Sequence, residues 1–319
     1  KALVPELEDR DILPATLAPE LINGLLKGKL GFNGLVLTDA SHMLGMTAAM
    51  RREEYVPQAI AAGCDMFLFF NDIDEDYNFM LNGYKNGIIT EERLQDALER
   101  ILGFKATLGL HKAKQDGSIF RNEEDLKVIG CEDHIERAKQ AVDKGITLVK
   151  NTLDQLPIRP ETHKRIRLYY LEGEKGGLLG DSESLDTIVK ELESRGFEVT
   201  VNDGNTRVKG PTLKYREEVD AALVFSNVVG YGAENNYRIK WKMAMSNEVP
   251  WYVHEVPTVF VSLNYTTHLT DVPMVKCYIN AYKDTEITIK AVVDKIMGES
   301  EFHGTPNELV WCNKWDTRL

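Results

Sequence analysis

Short apolar runs of strand length recur along this chain, several of them followed by a stretch with helical spacing. Leu35-Val36-Leu37 and residues 64–70, 222–225 and 258–262 are such runs. Strands this apolar must be covered on both faces, the condition of a parallel sheet flanked by helices. The alternation restricts the chain to the α/β class. No internal repeat of fixed period accompanies it.

In LAPELINGLLKGKL, residues Leu21, Ile22, Leu25 and Leu26 repeat at helical spacing and predict an amphipathic helix broken by Gly31 and Gly34. LVLT follows as a short buried strand. TAAMRREEYVPQAIAAG predicts a second helix, bent or divided by Pro57. CDMFLFF predicts another buried strand, ending on Asn71, with the acidic run DIDED beyond it. NFMLNGYKNG is helical and stopped by Gly87, and Thr90 is placed to cap the helix ERLQDALERILGFKATLG. Two strands cannot close a barrel, and an open pair leaves its edges bare.

Residues 111–160 read as a linker: a polar stretch, then a helix running into a strand in HIERAKQAVDKGITLVKN. A second alternation of strands and helices begins near Arg165 and ends at Gly298, which predicts a three-layer α/β/α sandwich over 161–319. The expected organisation is 1–110, a linker, and 161–319.

The 319 residues are enough for two domains with sizeable cores. A formal net charge of -12 argues against a general nucleic-acid binder, which carries a basic face. Cys64, Cys131, Cys277 and Cys312 lie far apart without a CxxC pair, so four free thiols and no zinc site are expected. No apolar run reaches membrane-spanning length, and no membrane partner is expected. The first residues, KALVPELEDRDILP, lack a methionine and read as the middle of a longer sequence. A cytoplasmic location is the expectation, although this N-terminus does not itself carry it.

Asp39 ends the first apolar run. In parallel α/β folds functional residues gather at the carboxyl ends of strands. A carboxylate there can act as nucleophile, phosphoryl acceptor or metal ligand, or simply cap the next helix. His42 and Met43 would rim a site built on it. Asp65 starts its strand and is expected to be structural. The glycines of EGEKGGLLGD fit neither the dinucleotide nor the P-loop pattern and read as an ordinary loop. In YGAENNYRIKWK, Glu234, Asn235, Asn236 and Arg238 can hydrogen-bond hydroxyls, while Tyr231, Tyr237 and Trp241 can stack on sugars; a surface loop is the alternative.

Several blocks, in order, resemble glycoside hydrolase family 3. LINGLLKGKLGFNGLVLTDASHM resembles its nucleophile segment, AIAAGCDMFLF the next block, and ERLQDALERILGFKATLGL the helix closing its catalytic domain. AVDKGITLVKN with LPI resembles the opening of its C-terminal sandwich domain, and YINAYKDTEITIKAVVDKIMGESEFHGTPNEL that domain's end. The resemblance implies the last βα units of a (β/α)8-type barrel, which needs roughly 250 residues when whole, followed by the sandwich. It also implies that Asp39 is the nucleophile of a retaining glycosidase acting on a β-glycoside without a cofactor or metal. His42, Met43, Asn235 and Arg238 become substrate-binding candidates.

For the acid/base the resemblance leaves two sources. One is a histidine in an upstream loop, of which this chain has no copy. The other is a glutamate of the C-terminal domain, for which Glu234 occupies a comparable region. Ala40, where many β-glucosidases carry Trp, and the segment VFVSLNYTTHLTDVPMVKCYINAY favour the β-N-acetylglucosaminidase-like branch. On this reading the chain is an incomplete C-terminal part, inactive alone, that packs against the missing barrel segment or another chain. The alternatives are a β-glucosidase-like enzyme using Glu234 and a non-catalytic carbohydrate-binding fragment. A phospho-receiver module is disfavoured, because its other acidic residues and late lysine are not evident.

Overall fold

In the computed structural model, residues 3–173, 184–203, 212–228, 238–242 and 246–311 are described. The chain divides into two compact units, Lys1–Asp125 and Leu126–Leu319.

The first unit is helical around one pair of extended segments. Single 3₁₀ turns at Asp9–Asp11 and Ala15–Leu17 lead into a wide, π-type helix at Glu20–Lys29. Its i→i−5 pattern continues past the end, where the Leu30 N–H donates to the Leu25 carbonyl at 2.8 Å. Then come α1 (Leu44–Thr47), α2 (Arg52–Ala61), α3 (Ile73–Lys85), α4 (Glu91–Thr107) and α5 (Leu110–Asp116).

The expected division at Pro57 is corrected. The break falls at residues 48–51, and Pro57 lies inside α2. Glu54 reaches back to accept the Arg51 N–H at 3.2 Å, which starts a new helix there. Gly83 of α3 lies against that proline; a Cβ on it would come within 2.3 Å of Pro57 Cβ, so the close approach of α2 and α3 needs a glycine. Thr90 caps α4, its Oγ1 accepting the Arg93 N–H at 3.2 Å.

The two expected strands are reduced to a parallel pair joined by one bridge, Leu37 to Met66. The Asp65 N–H donates to the Val36 carbonyl at 2.7 Å and the Thr38 N–H to the Met66 carbonyl at 3.1 Å. The Thr38 hydroxyl oxygen then accepts the Leu68 N–H at 2.8 Å in place of a further backbone rung. The expectation that both runs are buried is also corrected: Leu37 is 50% exposed, Phe69 61% and Phe70 58%. Among the described residues, helices cover one side only. Thr38 is buried, Val36 packs on Ile22, Ala62 and Cys64, and Phe67 packs on the cluster of Leu17, Met46, Tyr55, Val56 and Ala59. The alternation of side chains along a strand puts Leu37 and Met66 on the opposite side.

The second unit opens with α6 (Glu132–Gly145) and β1 (Thr147–Asn151), so these parts of the expected linker belong to its fold. There follow β2 (Arg165–Glu172), α7 (Ser184–Ser194), β3 (Glu198–Val201), α8 (Thr212–Glu218), β4 (Ala221–Asn227), β5 (Thr258–Ser262), β6 (Cys277–Asn280) and α9 (Glu286–Met297). The strand order is β1-β6-β5-β4-β2-β3, parallel except for antiparallel β1 at one edge. Every residue of β4, β5 and β6 is buried, which is why their centres are apolar runs, with polar Ser226, Asn227, Ser262 and Asn280 at their carboxyl ends.

On one face Leu223, Phe225, Val259 and Val261 pack with Ile188 and Leu192 of α7 and Ile289, Val293 and Ile296 of α9. On the other, Val224, Phe260 and Tyr278 pack under Tyr252, Leu269, Val275 and Trp311. Tyr215 of α8 joins that face, which irregular segments otherwise cover. Truncating the fully buried Phe225 to alanine is expected to destabilise this unit by about 3–5 kcal/mol in urea unfolding, from lost burial plus the cavity.

Candidate active site

Asp39 stands at the carboxyl end of the first extended segment, just past the Thr38 anchor, and is exposed. The capping role weighed for it is absent. The residue at the N-cap of α1 is Met43, and Asp39 accepts only the N–H of Ala40, at 2.7 Å, among the described residues. The carboxylate is therefore open to solvent on a short irregular loop.

The loop is held from below. Ser41 is fully buried, its hydroxyl donating to the Phe69 carbonyl. Tyr55 of α2 donates its hydroxyl to the Ser41 carbonyl at 3.1 Å, and Arg52 Nη2 donates to Ser41 Oγ at 3.1 Å. Arg52 also grips Asp76 of α3 with two bonds, Nε to Oδ1 at 2.8 Å and Nη2 to Oδ2 at 2.6 Å. Its Nη1 donates to Tyr55 Oη at 2.6 Å. Asp76 Oδ2 also accepts the Asn71 N–H at 2.9 Å, and Asn71 Oδ1 lies 3.0 Å from His42 Nε2. His42 is thus joined to the loop after the second segment, while Met43 is exposed beside it.

None of Ser41, Arg52, Tyr55, Asn71 and Asp76 stood out in the sequence as a site residue. Asp76 belongs to the DIDED run, in which Asp72 caps α3 by accepting the Glu75 N–H at 2.9 Å. Nothing local distinguishes Asp76 from its neighbours; only the packing of α2 on α3 does.

Burial alone would raise the Asp76 carboxyl. Hydrogen bonds from Arg52 and the Asn71 amide, with the Arg52 charge, outweigh it and hold the group below the usual carboxylate range. In the second unit, hydrogen bonds from Lys295 and Ser300 do the same for Asp143, and Arg165 does so for Asp220. A carboxyl depressed in the folded state adds stability above its unfolded pKa, about 4, and loses it as pH falls through the folded value. Unfolding midpoints are expected to be level from pH 7 to about 4.5 and to drop below it; Asp76→Asn and Asp143→Asn should each flatten the acid limb.

Asp65 lies at the other end of the second segment. Its side chain is wholly buried and accepts the Val36 N–H at 2.8 Å, Lys27 Nζ at 3.3 Å and an Arg93 nitrogen. Cys64 and Cys277 are buried free thiols, pushed up to about 11 and about 12 by desolvation, the former also by the Asp65 charge; Cys131 is free and Cys312 lies outside the described residues. No group of three or more His, Cys, Asp or Glu able to hold a metal occurs among the described residues, and no described helix is long and apolar enough to cross a membrane.

In the second unit the strand order reverses direction between β2 and β4, the place where open α/β sheets form a crevice at the carboxyl ends of their strands. Asn227 sits there as a hub. Its Nδ2 donates to Tyr170 Oη at 2.9 Å and Asp284 Oδ2 at 3.1 Å, and its Oδ1 accepts from Asn264. Glu234 and Asn235 lie outside the described residues, as do Tyr231, Asn236, Tyr237 and all of EGEKGGLLGD except Glu172 and Gly173. Arg238 is described, and its Nε donates to Asp271, whose other oxygen accepts the Ile239 N–H at 3.2 Å.

Residues 1–104 match the family model described as glycosyl hydrolase family 3 N terminal domain. Over its full length the chain is 38% identical to a beta-N-acetylglucosaminidase/beta-glucosidase of Cellulomonas fimi, of which it spans 57%. Residues 1–104 are thus similar to the N-terminal domain of glycoside hydrolase family 3. The solved structure of the beta-glucoside phosphorylase BglX superposes with a TM-score of 0.87 at 33% identity, covering 99% of this chain and 56% of that one. A family 3 beta-N-acetylglucosaminidase from Paenibacillus sp. str. FPU-7, 20% identical with a TM-score of 0.67, covers 92% of this chain and 54% of that one and shares the fold. The chain thus spans little more than half the length of each of these three relatives. Together these structures identify the first unit with barrel-type βα units and the second with the family's α/β sandwich.

Proposed function

We propose that this chain supplies the nucleophile, Asp39, of a retaining enzyme acting on β-glycosides, with β-N-acetylglucosaminides as the favoured substrate class. One observation carries it: in a chain similar to family 3 over residues 1–104, the carboxylate at the end of the first parallel segment is exposed, caps no helix and pairs with no cation among the described residues. An Asp39 oxygen would bond to the anomeric carbon as the bond to the leaving oxygen breaks, while an acid protonates that oxygen. A second acceptor then displaces Asp39 with retained configuration. The name of the Cellulomonas fimi relative supports both N-acetylglucosaminide and glucoside substrates. Side chains alone suffice for these steps, so no cofactor is invoked.

The acid/base is not assigned among the described residues; Glu234 keeps its candidacy on sequence alone. His42, fixed by Asn71, and the exposed Met43 are proposed to border the sugar. Arg238, engaged by Asp271, is better suited to hold its own segment than to bind substrate.

A second reading concerns the acceptor. The 33% identical solved relative is named a phosphorylase, which favours phosphate as the group that displaces Asp39, in place of water. Chromogenic β-N-acetylglucosaminide and β-glucoside should be tested on the natural full-length protein, with and without inorganic phosphate. Release accelerated by phosphate, with a sugar 1-phosphate formed, would select phosphorolysis. Free sugar at an unchanged rate would select hydrolysis. No turnover of any β-glycoside would sink the proposal.

A further inference from the structure

We propose that Arg52, clamped on Asp76, is a positioning residue that aims Asp39 by gripping the peptide at Ser41. The inference rests on the nucleophile role proposed above and adds to it a group outside the loop. Among the described residues Asp39 itself has a single neighbouring donor, the Ala40 N–H, which lies on the same loop and cannot orient it against the rest of the fold. Orientation must therefore come from whatever fixes the backbone on either side. Before Asp39, Thr38 is pinned by the Met66 carbonyl and the Leu68 N–H. After it, the first residue pinned from outside the loop is Ser41, whose hydroxyl and carbonyl converge on one guanidinium: Oγ directly, and the carbonyl through Tyr55.

Three features mark this as a built device rather than an incidental ion pair. The Arg52 side chain is 17% exposed and Asp76 6%, so the pair sits in a low-dielectric setting where geometry is tightly held. Arg52 uses all three nitrogens of its planar fork, with two bonds to Asp76, one to Tyr55 and one to Ser41, a set that a lysine cannot reproduce. Phe69, whose carbonyl takes the Ser41 hydroxyl, is held at φ 57°, a left-handed conformation that a non-glycine residue adopts only when its surroundings impose it. Asp76 also reaches the Asn71 N–H, so one carboxylate ties the loop after the second segment to the loop after the first. The charged and titratable groups facing this cluster are Arg52, Asp76, Tyr55 and His42.

Arg52→Lys keeps the charge and loses the fork, and Ser41→Ala removes only the gripped hydroxyl. In the natural full-length protein, each is expected to slow formation of the glycosyl-enzyme from an activated substrate by roughly 10- to 100-fold, the scale on which an ångström-sized misplacement acts, with KM little changed. Azide as an external nucleophile in an Asp39→Ala background separates positioning from general damage. There, adding Arg52→Lys should leave the azide-rescued rate within about twofold. A second loss of the same size would mean that Arg52 serves the fold at large, and would overturn the proposal.

Amide hydrogen exchange gives a readout that needs no activity. In Arg52→Lys, residues 40–43 and 69–71 should exchange roughly tenfold faster, while α2 and α3 keep their protection. Unchanged exchange in those two loops would defeat the clamp. Full turnover in Asp39→Ala would instead defeat the nucleophile role, a different result from a different variant.

Discussion

Asp39→Ala is expected to lower turnover of a β-glycoside by on the order of 10⁴-fold or more, the scale on which removal of a covalent nucleophile acts. The loss should appear in the step that forms the glycosyl-enzyme, because no other described group can replace that bond. Urea unfolding of the variant should match the parent, since the exposed carboxylate contributes one hydrogen bond to its own loop. Azide should restore part of the rate and give a product of inverted configuration, as expected when a small anion enters the vacated position. A variant that turned over substrate at the parental rate would remove Asp39 from the mechanism altogether.

Asp65→Ala should have the opposite profile, a large loss of stability. Its carboxylate is wholly buried and satisfies Lys27, Arg93 and the Val36 N–H together. Removing it strands two largely buried cations and an amide, for which about 3–5 kcal/mol is the usual scale. Asp96 remains within 3.7 Å of Lys27 and also holds Arg93, so the loss should fall toward the lower end. Asp65→Asn keeps an acceptor for Val36 and should cost less than alanine. Far-UV circular dichroism in urea would measure both, and activity corrected for the folded fraction should be close to parental. A corrected rate reduced as severely as that of Asp39→Ala would place Asp65 in the chemistry.

The contrast between these carboxylates was largely legible in the sequence, because each borders an apolar run and a strand has two chemically different ends. The helix α4 was legible for a similar reason, having its Thr90 cap and periodic apolar residues within a few positions of one another, whereas α3 was legible only from Asn78 on and starts earlier, at Ile73 inside the acidic run. The apolar runs at the centres of β4 and β5 read as interior parallel strands. The exposure of Leu37, Phe69 and Phe70 was not legible. An apolar run records that a residue favours burial, but whether a layer covers it is decided by other segments. The helix break before Arg51 was misplaced for a related reason: Pro57 removes only one backbone donor, which a helix packed on α3 tolerates.

The sequence by itself determined the α/β class, the family blocks and Asp39 as the residue to examine, since these depend on neighbours within a turn or two of chain. Only the tertiary structure decided that Asp39 caps nothing, that Asp65 is a buried hub, and that Arg52 reaches across to Asp76 and Ser41. The Arg52 contacts join groups 11 and 24 residues apart, and those of Asp65 groups 28 to 38 residues apart, brought within hydrogen-bond distance. Hydrogen bonds and ion pairs decay over a few ångströms, so their partners are set by how the helices pack, which no local pattern records.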